Sequence, residues 1–187
     1  MFGYKTTVRI RVATKYDLVQ ITKIYSDSVL SGTASFETTP PSIDEMQQRF
    51  TMFADGSYLY LVAELDGQIA GYACAGPYRS RPAYYWSIES TIYLDPQYQR
   101  RGIGKALLLE LLERCTKAGF RQIIGVIATD DKNPNLASIA LHETCGFKTA
   151  GNIKSVGRKH DVWLDTMIMP KALGEGSAPP PNEVCRI

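Results

Sequence analysis

Cationic side chains and two glycines lie together between a predicted strand and a predicted helix. The segment reads Gln99-Arg100-Arg101-Gly102-Ile103-Gly104-Lys105. Glycine lets a backbone approach a ligand closely, and the unpaired amides of a helix N-terminus attract anions. The segment matches neither a Walker loop nor the three-glycine dinucleotide fingerprint. It therefore suits a pyrophosphate group, with a basic helix cap that binds nothing as the alternative.

A carboxylate in the middle of the preceding predicted strand, 85–94, is the second candidate for chemistry. Strand side chains alternate between two faces, which places Glu89 among aromatic and hydroxyl groups. The other members of that face are Tyr85, Ser87, Thr91 and Tyr93, and the opposite face holds Trp86, Ile88, Ser90, Ile92 and Leu94. Glu89 could act as a general base for an attacking amine, or form an ion pair with an arginine.

Strands and helices alternate along the chain and predict an α/β fold. We expect a mixed, mostly antiparallel twisted sheet of about seven strands with helices on both faces. The predicted strands are 7–12, 58–64, 68–75, 85–94, 122–128, 147–153 and 161–169. Predicted helices follow capping-box patterns at Thr14 and Ser42 and cover 103–115 and 135–145. Asp66-Gly67 predicts a tight hairpin turn.

Composition limits the possible classes of protein. With 187 residues and a formal net charge of +2, we expect one domain over 7–170, a flexible tail over 171–187, and no general nucleic-acid binding. No apolar run of membrane-spanning length and no signal peptide occur, which favours a cytoplasmic location without membrane partners. The four cysteines predict buried free thiols, and two histidines give little support for a metal site.

Several ordered blocks resemble a known family. The Gln99-x-x-Gly102-x-Gly104 pattern is similar to the acetyl-CoA motif of the GCN5-related N-acetyltransferases, over roughly residues 7–170. The blocks 75–84, 89–93 and 99–102 resemble the phosphinothricin acetyltransferase group within that family, and 157–160 is a weaker match. In one departure, Leu164 stands where the group usually has a histidine, which affects the expected substrate preference.

The resemblance implies a mode of binding for acetyl-CoA. Two sheet strands would part beside residues 92–94, often at a bulge, so that the strict alternation of strand 85–94 can break there. Ile92 and Leu94 would offer backbone groups to the pantetheine arm. The full implied set of cofactor-binding residues is Ile92, Tyr93, Leu94, Arg100, Arg101, Gly102, Ile103, Gly104, Lys105 and Asn135.

The resemblance also implies catalytic and substrate-binding roles. Glu89 matches the proposed general base. His142 lies where relatives carry a group that protonates the departing thiolate, although an oxyanion donor or a structural role is equally open. Arg79 and Arg81 would clamp a substrate carboxylate, as arginine does bidentately. Phe36 and Tyr93 would be walls of the substrate pocket.

These residues predict an acetyl-CoA-dependent N-acetyltransferase that needs no metal. The expected substrate is the α-amino group of a small amino acid such as phosphinothricin, methionine sulfoximine or methionine sulfone. A polyamine or a protein N-terminus is the alternative substrate, and a non-catalytic CoA-binding module is the alternative function. The resemblance further implies a homodimer.

Overall fold

The chain alternates strands and helices in the computed structural model, which describes residues 8–132 and 134–179. The strands are β1 (Arg9–Val12), β2 (Leu59–Leu65), β3 (Gln68–Pro77), β4 (Ser87–Leu94), β5 (Gln122–Thr129), β6 (Gly151–Lys159) and β7 (Val162–Ala172). The α-helices are α1 (Leu18–Ser31), α2 (Ile43–Asp55), α3 (Ile103–Lys117) and α4 (Leu136–Thr144), and short 3₁₀ turns cover Lys15–Asp17, Pro82–Tyr84 and Pro96–Tyr98.

All seven strands of the described chain form one sheet in the order β1-β2-β3-β4-β5-β7-β6. Every neighbouring pair is antiparallel except β4 and β5, which run parallel and are joined through α3. The predicted mixed, mostly antiparallel seven-stranded sheet is therefore confirmed.

Local sequence signals fix several ends of these elements. Asp66 has a φ of 51° and Gly67 a φ of 76°. Positive values at both positions are what the tight turn between β2 and β3 requires. The Thr14 amide donates to Asp17 Oδ2 at 2.7 Å, and Ser42 Oγ accepts from the Glu45 amide at 3.1 Å. Thr14 and Ser42 therefore lie at the N-terminal caps that the sequence predicts, although the Glu45 carboxylate pairs with Arg49.

The sheet separates two apolar cores, so helices cover both of its faces. On one face α3 packs against the sheet, and its fully buried residues include Ile103, Leu107, Leu108 and Leu111. On the other face α1 and α2 cover β2 and β3, through residues such as Ile21, Val29, Met46, Val62 and Tyr72.

The predicted strand 147–153 begins later than expected. Phe147 donates its amide to the His142 carbonyl at 3.0 Å, and Gly146 has a φ of 88°. These residues therefore close the end of α4 instead of entering the sheet, and β6 starts at Gly151. β6 also carries an irregular register between Ile153 and Gly157.

The last strand continues past the expected domain boundary at residue 170. β7 reaches Ala172, and Leu173 is buried in the core. The last eight residues of the expected tail, 180–187, lie outside the described residues. Cys74, Cys115 and Cys145 are buried free thiols, as predicted, and Cys185 lies outside the described residues. Among the described helices, none has the length and apolar character needed to cross a membrane.

Candidate active site

Two neighbouring strands part in the middle of the sheet. β4 pairs with β5 only from Ser87 to Ser90, although β4 continues to Leu94. β5 meanwhile pairs with β7 as far as Thr129, and β4 stays in register with β3 up to Leu94. The two strands therefore diverge after Ser90, as the family resemblance implied, but β4 has no bulge against β3 and its alternation is unbroken.

The backbone of β4 directs unpaired N–H and C=O groups into this gap. Residues of an antiparallel strand direct their N–H and C=O groups alternately to the two sides. The Asp95 amide donates to the carbonyl of Ala70 in β3 at 3.0 Å, so Tyr93, two residues earlier, also directs its backbone toward β3. Ile92 and Leu94 therefore direct their amides and carbonyls away from β3, into the gap. Tyr93 contributes its ring, not its backbone.

The N-terminus of α3 lies at the mouth of the gap. Gly102 caps the helix with a left-handed φ of 78°, and Arg100 has a φ of 59°. The first helical turn holds no acidic residue, so its free amides and the side chain of Lys105 present only positive charge. A Cβ on Gly104 would lie 3.2 Å from the Leu94 side chain, so this glycine lets α3 approach β4 closely.

A cavity of about 930 Å³ joins the helix N-terminus, the gap and the space beneath α1 and α2. Ten residues predicted from the sequence lie on its wall: Phe36, Glu89, Ile92, Tyr93, Leu94, Arg100, Gly102, Lys105, Asn135 and His142. No motif in the sequence pointed to the part of the wall contributed by α1, α2, β2 and β3, which includes Tyr25, Arg49, Phe53, Tyr60, Tyr72 and Cys74.

Glu89 lies in the cavity wall and is half-buried. Burial raises the pKa of its carboxyl group, and the nearby charge of Arg79 partly opposes this. Among the described residues, no ion pair within 4.0 Å includes Glu89, so the ion-pair alternative has no support. A carboxylate that is costly to ionise and faces a cavity is suited to accept a proton.

Arg79 is exposed, and its guanidinium lies against two aromatic rings beside the cavity. Its guanidinium lies 5.1 Å from the centre of the Tyr78 ring and 5.8 Å from that of the Tyr84 ring. Such a cation–π arrangement orients a planar group. Arg81 is exposed and caps the 3₁₀ turn Pro82–Tyr84. Neither arginine lines the cavity in this conformation, but the charge of Arg79 reaches Glu89.

His142 is 3 % exposed and approaches the gap from the opposite face of the sheet. Its Nδ1 lies 2.8 Å from the Ser138 carbonyl. A carbonyl can only accept a hydrogen bond, so Nδ1 carries the hydrogen. Burial lowers the pKa of the imidazole, which favours the neutral ring with a bare Nε2. A Cβ on Gly125 would lie 2.8 Å from this ring, so the glycine makes the position possible.

Several residues that the sequence assigns to the cofactor or the substrate also make contacts within the protein. Ile103 is buried in the α3 core, and Arg101 stacks on the Tyr98 ring at 5.5 Å. Asn135 caps α4 with a left-handed φ of 50° and donates from Nδ2 to the Ala128 carbonyl at 3.2 Å. Leu164 is fully buried and pairs with Gly157, so the departure from the group's histidine lies inside the fold.

Comparisons with known proteins agree with this geometry. The acetyltransferase (GNAT) family model matches residues 21–147. The chain is 42 % identical over 173 residues to a phosphinothricin N-acetyltransferase of Alcaligenes faecalis, covering 92 % of this chain and 86 % of that protein. It is 32 % identical over 170 residues to an L-methionine sulfoximine/L-methionine sulfone acetyltransferase of Salmonella typhimurium, covering 91 % and 97 %.

A solved structure is also closely similar. The phosphinothricin acetyltransferase of Sinorhizobium meliloti, crystallised in complex with AcCoA, superposes with a TM-score of 0.89 at 45 % identity and 96 % coverage of both chains. This chain belongs to the GNAT family of acetyltransferases. The family expected from the sequence is confirmed.

The raised pKa of Glu89 predicts a dependence of stability on pH. A carboxyl whose folded pKa lies above its unfolded pKa loses stabilising free energy as pH rises through the folded value. A glutamine cannot ionise, so Glu89→Gln should have a higher Tm than wild type at pH 8, and the difference should shrink toward pH 4. Calorimetry across this range, with the exposed Glu143→Gln as a control, measures it. A lower Tm for Glu89→Gln than for wild type at pH 8 would contradict the claim that burial of the Glu89 charge destabilises the protein.

Proposed function

We propose that this chain transfers the acetyl group of acetyl-CoA to the α-amino group of a small amino acid. One observation carries the proposal: the unpaired backbone edge at Ile92 and Leu94 opens into the same cavity as the half-buried carboxylate of Glu89. A strand-like ligand can form hydrogen bonds with the backbone edge, and an amine can give its proton to the carboxylate of Glu89.

The residues present fit acetyl-CoA, which supplies a reactive thioester when it is bound. Ile92 and Leu94 would pair with the amide groups of the pantetheine arm, in the manner of an added strand. The amides at the start of α3, with Arg100 and Lys105, would hold the pyrophosphate. Asn135, at the other side of the gap, would contact the arm.

Glu89 would serve as the general base of the reaction. An ammonium group cannot attack a thioester until it loses a proton, and the carboxylate can accept that proton directly or through water. Its raised pKa brings its basicity closer to that of the amine, while the cavity excludes part of the competing solvent. Glu89 lies on the α1–α2 face of the sheet, so the amine would approach from that face.

His142 would act from the opposite face as a hydrogen-bond acceptor and not as a direct proton donor. With its hydrogen on Nδ1, the unprotonated Nε2 can accept a hydrogen bond from a water molecule. The other hydrogen of that water can form a hydrogen bond to the departing thiolate and stabilise its charge. The role of direct acid or oxyanion donor would require the other tautomer or the charged ring, both of which its hydrogen bond and burial disfavour.

The substrate class rests on the charge beside Glu89 and on the relatives. The relatives are named for phosphinothricin, methionine sulfoximine and methionine sulfone, which share an α-amino acid end and an oxygen-rich second group. An arginine oriented by two aromatic rings suits the α-carboxylate of such a molecule. The proposal also includes a cytoplasmic location and a homodimer, which stay predictions.

Replacing the proposed base tests the function most simply. Glu89→Gln keeps the shape of the side chain but cannot accept a proton, so kcat should fall about 10²–10⁴-fold. Acetyl-CoA binding, measured by calorimetry, should stay near that of wild type. Turnover close to wild type between pH 6 and 9 would show that Glu89 is structural. No CoA release from any amine with the wild-type protein would favour a non-catalytic CoA-binding module.

The helix N-terminus should govern the affinity for acetyl-CoA. Arg100→Glu reverses a charge at the mouth of the cavity and should raise the KM for acetyl-CoA about tenfold or more, an effect that weakens at high salt. Lys148→Glu makes the same charge change on an exposed residue outside the cavity wall and serves as the control. Equal KM values for the two variants would remove Arg100 from the cofactor site.

The two arginines of the 78–84 loop should differ in their effect on the amino acid. Arg79→Lys keeps the charge but loses the planar group held by two rings, so kcat/KM for methionine sulfone should fall about tenfold, or about 1.4 kcal/mol. Arg81→Lys should have the smaller effect, because Arg81 has no comparable contact with the site.

The acetyl-CoA KM should not change in either variant. A larger loss in Arg81→Lys would reverse the assignment of the clamp. Better turnover of spermidine or of a peptide N-terminus than of methionine sulfone would overturn the proposed substrate class.

A further inference from the structure

One wall of the cavity depends on a residue without a side chain. Phe36 lies on the loop between α1 and α2, and its ring rests against the backbone of Gly157 on β6. A Cβ at Gly157 would lie 2.4 Å from Cε1 and 2.6 Å from Cδ1 of this ring. Real Cβ atoms do not approach other atoms so closely, so any larger residue here must displace the ring.

The loop that carries Phe36 is fixed on several sides. Lys159, which is 3 % exposed, donates from Nζ to the Ser35 carbonyl at 2.9 Å. Ser35 Oγ shares a hydrogen bond of 2.9 Å with the Tyr25 hydroxyl and accepts from the Glu37 amide at 3.1 Å. The backbone of this loop therefore cannot retreat from β6 without breaking buried hydrogen bonds.

Gly157 and Lys159 act together because alternate residues of a strand share a face. One leaves room for the Phe36 ring, and the other binds the carbonyl of the preceding residue. With the backbone held, only the Phe36 side chain is free to respond to added bulk at Gly157. Phe36 is 42 % exposed, so its ring has room to move, and displacement away from β6 moves the part of the cavity wall that the ring forms.

We propose that Gly157 is a positioning residue that sets the size of the acceptor end of the cavity through Phe36. This inference rests on the proposed function, since it assigns the Phe36 side of the cavity to the amine that is acetylated. The cofactor side, at the start of α3, is formed by other residues and should not sense the change.

The test is the variant Gly157→Ala. Gly157 does not have a left-handed backbone, so alanine adds bulk there without backbone strain. The ring must shift by about 1 Å to restore normal contact, and shifts of that size near a reacting group can cost up to about 10²-fold. The KM for methionine sulfone should rise about tenfold or more, while the KM for acetyl-CoA stays at its wild-type value.

Two further variants separate this effect from a general disturbance of β6. Gly151→Ala adds the same methyl group to the same strand at a position with nothing within 4 Å, and its kinetic constants should match wild type. The variant Phe36→Ala removes the ring that the methyl group of Gly157→Ala would displace. The double variant Phe36→Ala/Gly157→Ala should therefore match Phe36→Ala alone, as a coupled pair requires.

A crystal structure of Gly157→Ala gives a readout independent of turnover. We expect the Phe36 ring displaced away from β6 and the 33–37 backbone unmoved. An unmoved ring, an unchanged acceptor KM in the folded variant, or the same loss in the Phe36→Ala background would each overturn the inference. If another amine proves to be the substrate, the proposed amino-acid substrate is wrong, but the role of Gly157 is still open to test. The KM of that amine is then compared between wild type and Gly157→Ala.

Discussion

The early end of the pairing between β4 and β5 is the constraint on which the rest of the molecule depends. Strand neighbours normally satisfy each other's backbone groups along their full length, because an unpaired buried amide or carbonyl is costly. Here β4 stays with β3, β5 stays with β7, and the two diverge after Ser90. The end of β4 therefore has unpaired backbone N–H and C=O groups inside the sheet, and a ligand can form hydrogen bonds with them.

Helices and side chains are arranged around this opening. α3 starts at its mouth and presents free amides and basic side chains, and the close approach of Gly104 to Leu94 holds the helix against β4. Glu89 and His142 then reach the opening from opposite faces of the sheet. In the proposed reaction, that separation would let Glu89 accept the proton of the amine while His142 acts on the departing thiolate from the other face.

The site also contains features that oppose stability. Glu89 is buried enough to raise its pKa, and three glycines leave space for rings that line or support the cavity. Phe53 packs on Gly76, His142 on Gly125 and Phe36 on Gly157. Residues placed for function in this way are often not the most stabilising choice, which is a common trade-off at active sites.

Local patterns in the sequence were sufficient for much of the fold. The Asp66-Gly67 turn, the caps at Thr14 and Ser42 and the two faces of β4 all depend on near neighbours, so period and turn chemistry predict them. The predicted start of β6 was wrong because the closing turn at Gly146 includes Phe147, whose amide bonds back to the His142 carbonyl, so the strand begins further along the chain.

A motif or an alternation pointed to most of the predicted residues that the structure brings to the cavity wall. Residues that act through distant contacts were not predicted in this way: Lys159 binds a carbonyl 124 positions away, and the contact of Gly157 with Phe36 spans a similar distance. The motif position of Arg101 predicts cofactor binding, and this stays a prediction, since the structure places its guanidinium over the Tyr98 ring.

Amide hydrogen exchange along β4 tests the central claim most directly. The amides of Ile92 and Leu94 face the gap, whereas the amides of Thr91 and Tyr93 are directed toward β3. Addition of CoA should slow exchange at Ile92 and Leu94 and leave Thr91 and Tyr93 nearly unchanged. Tight binding of CoA without new protection at Ile92 and Leu94 would contradict the account, because the open edge of β4 would then not be where the ligand pairs.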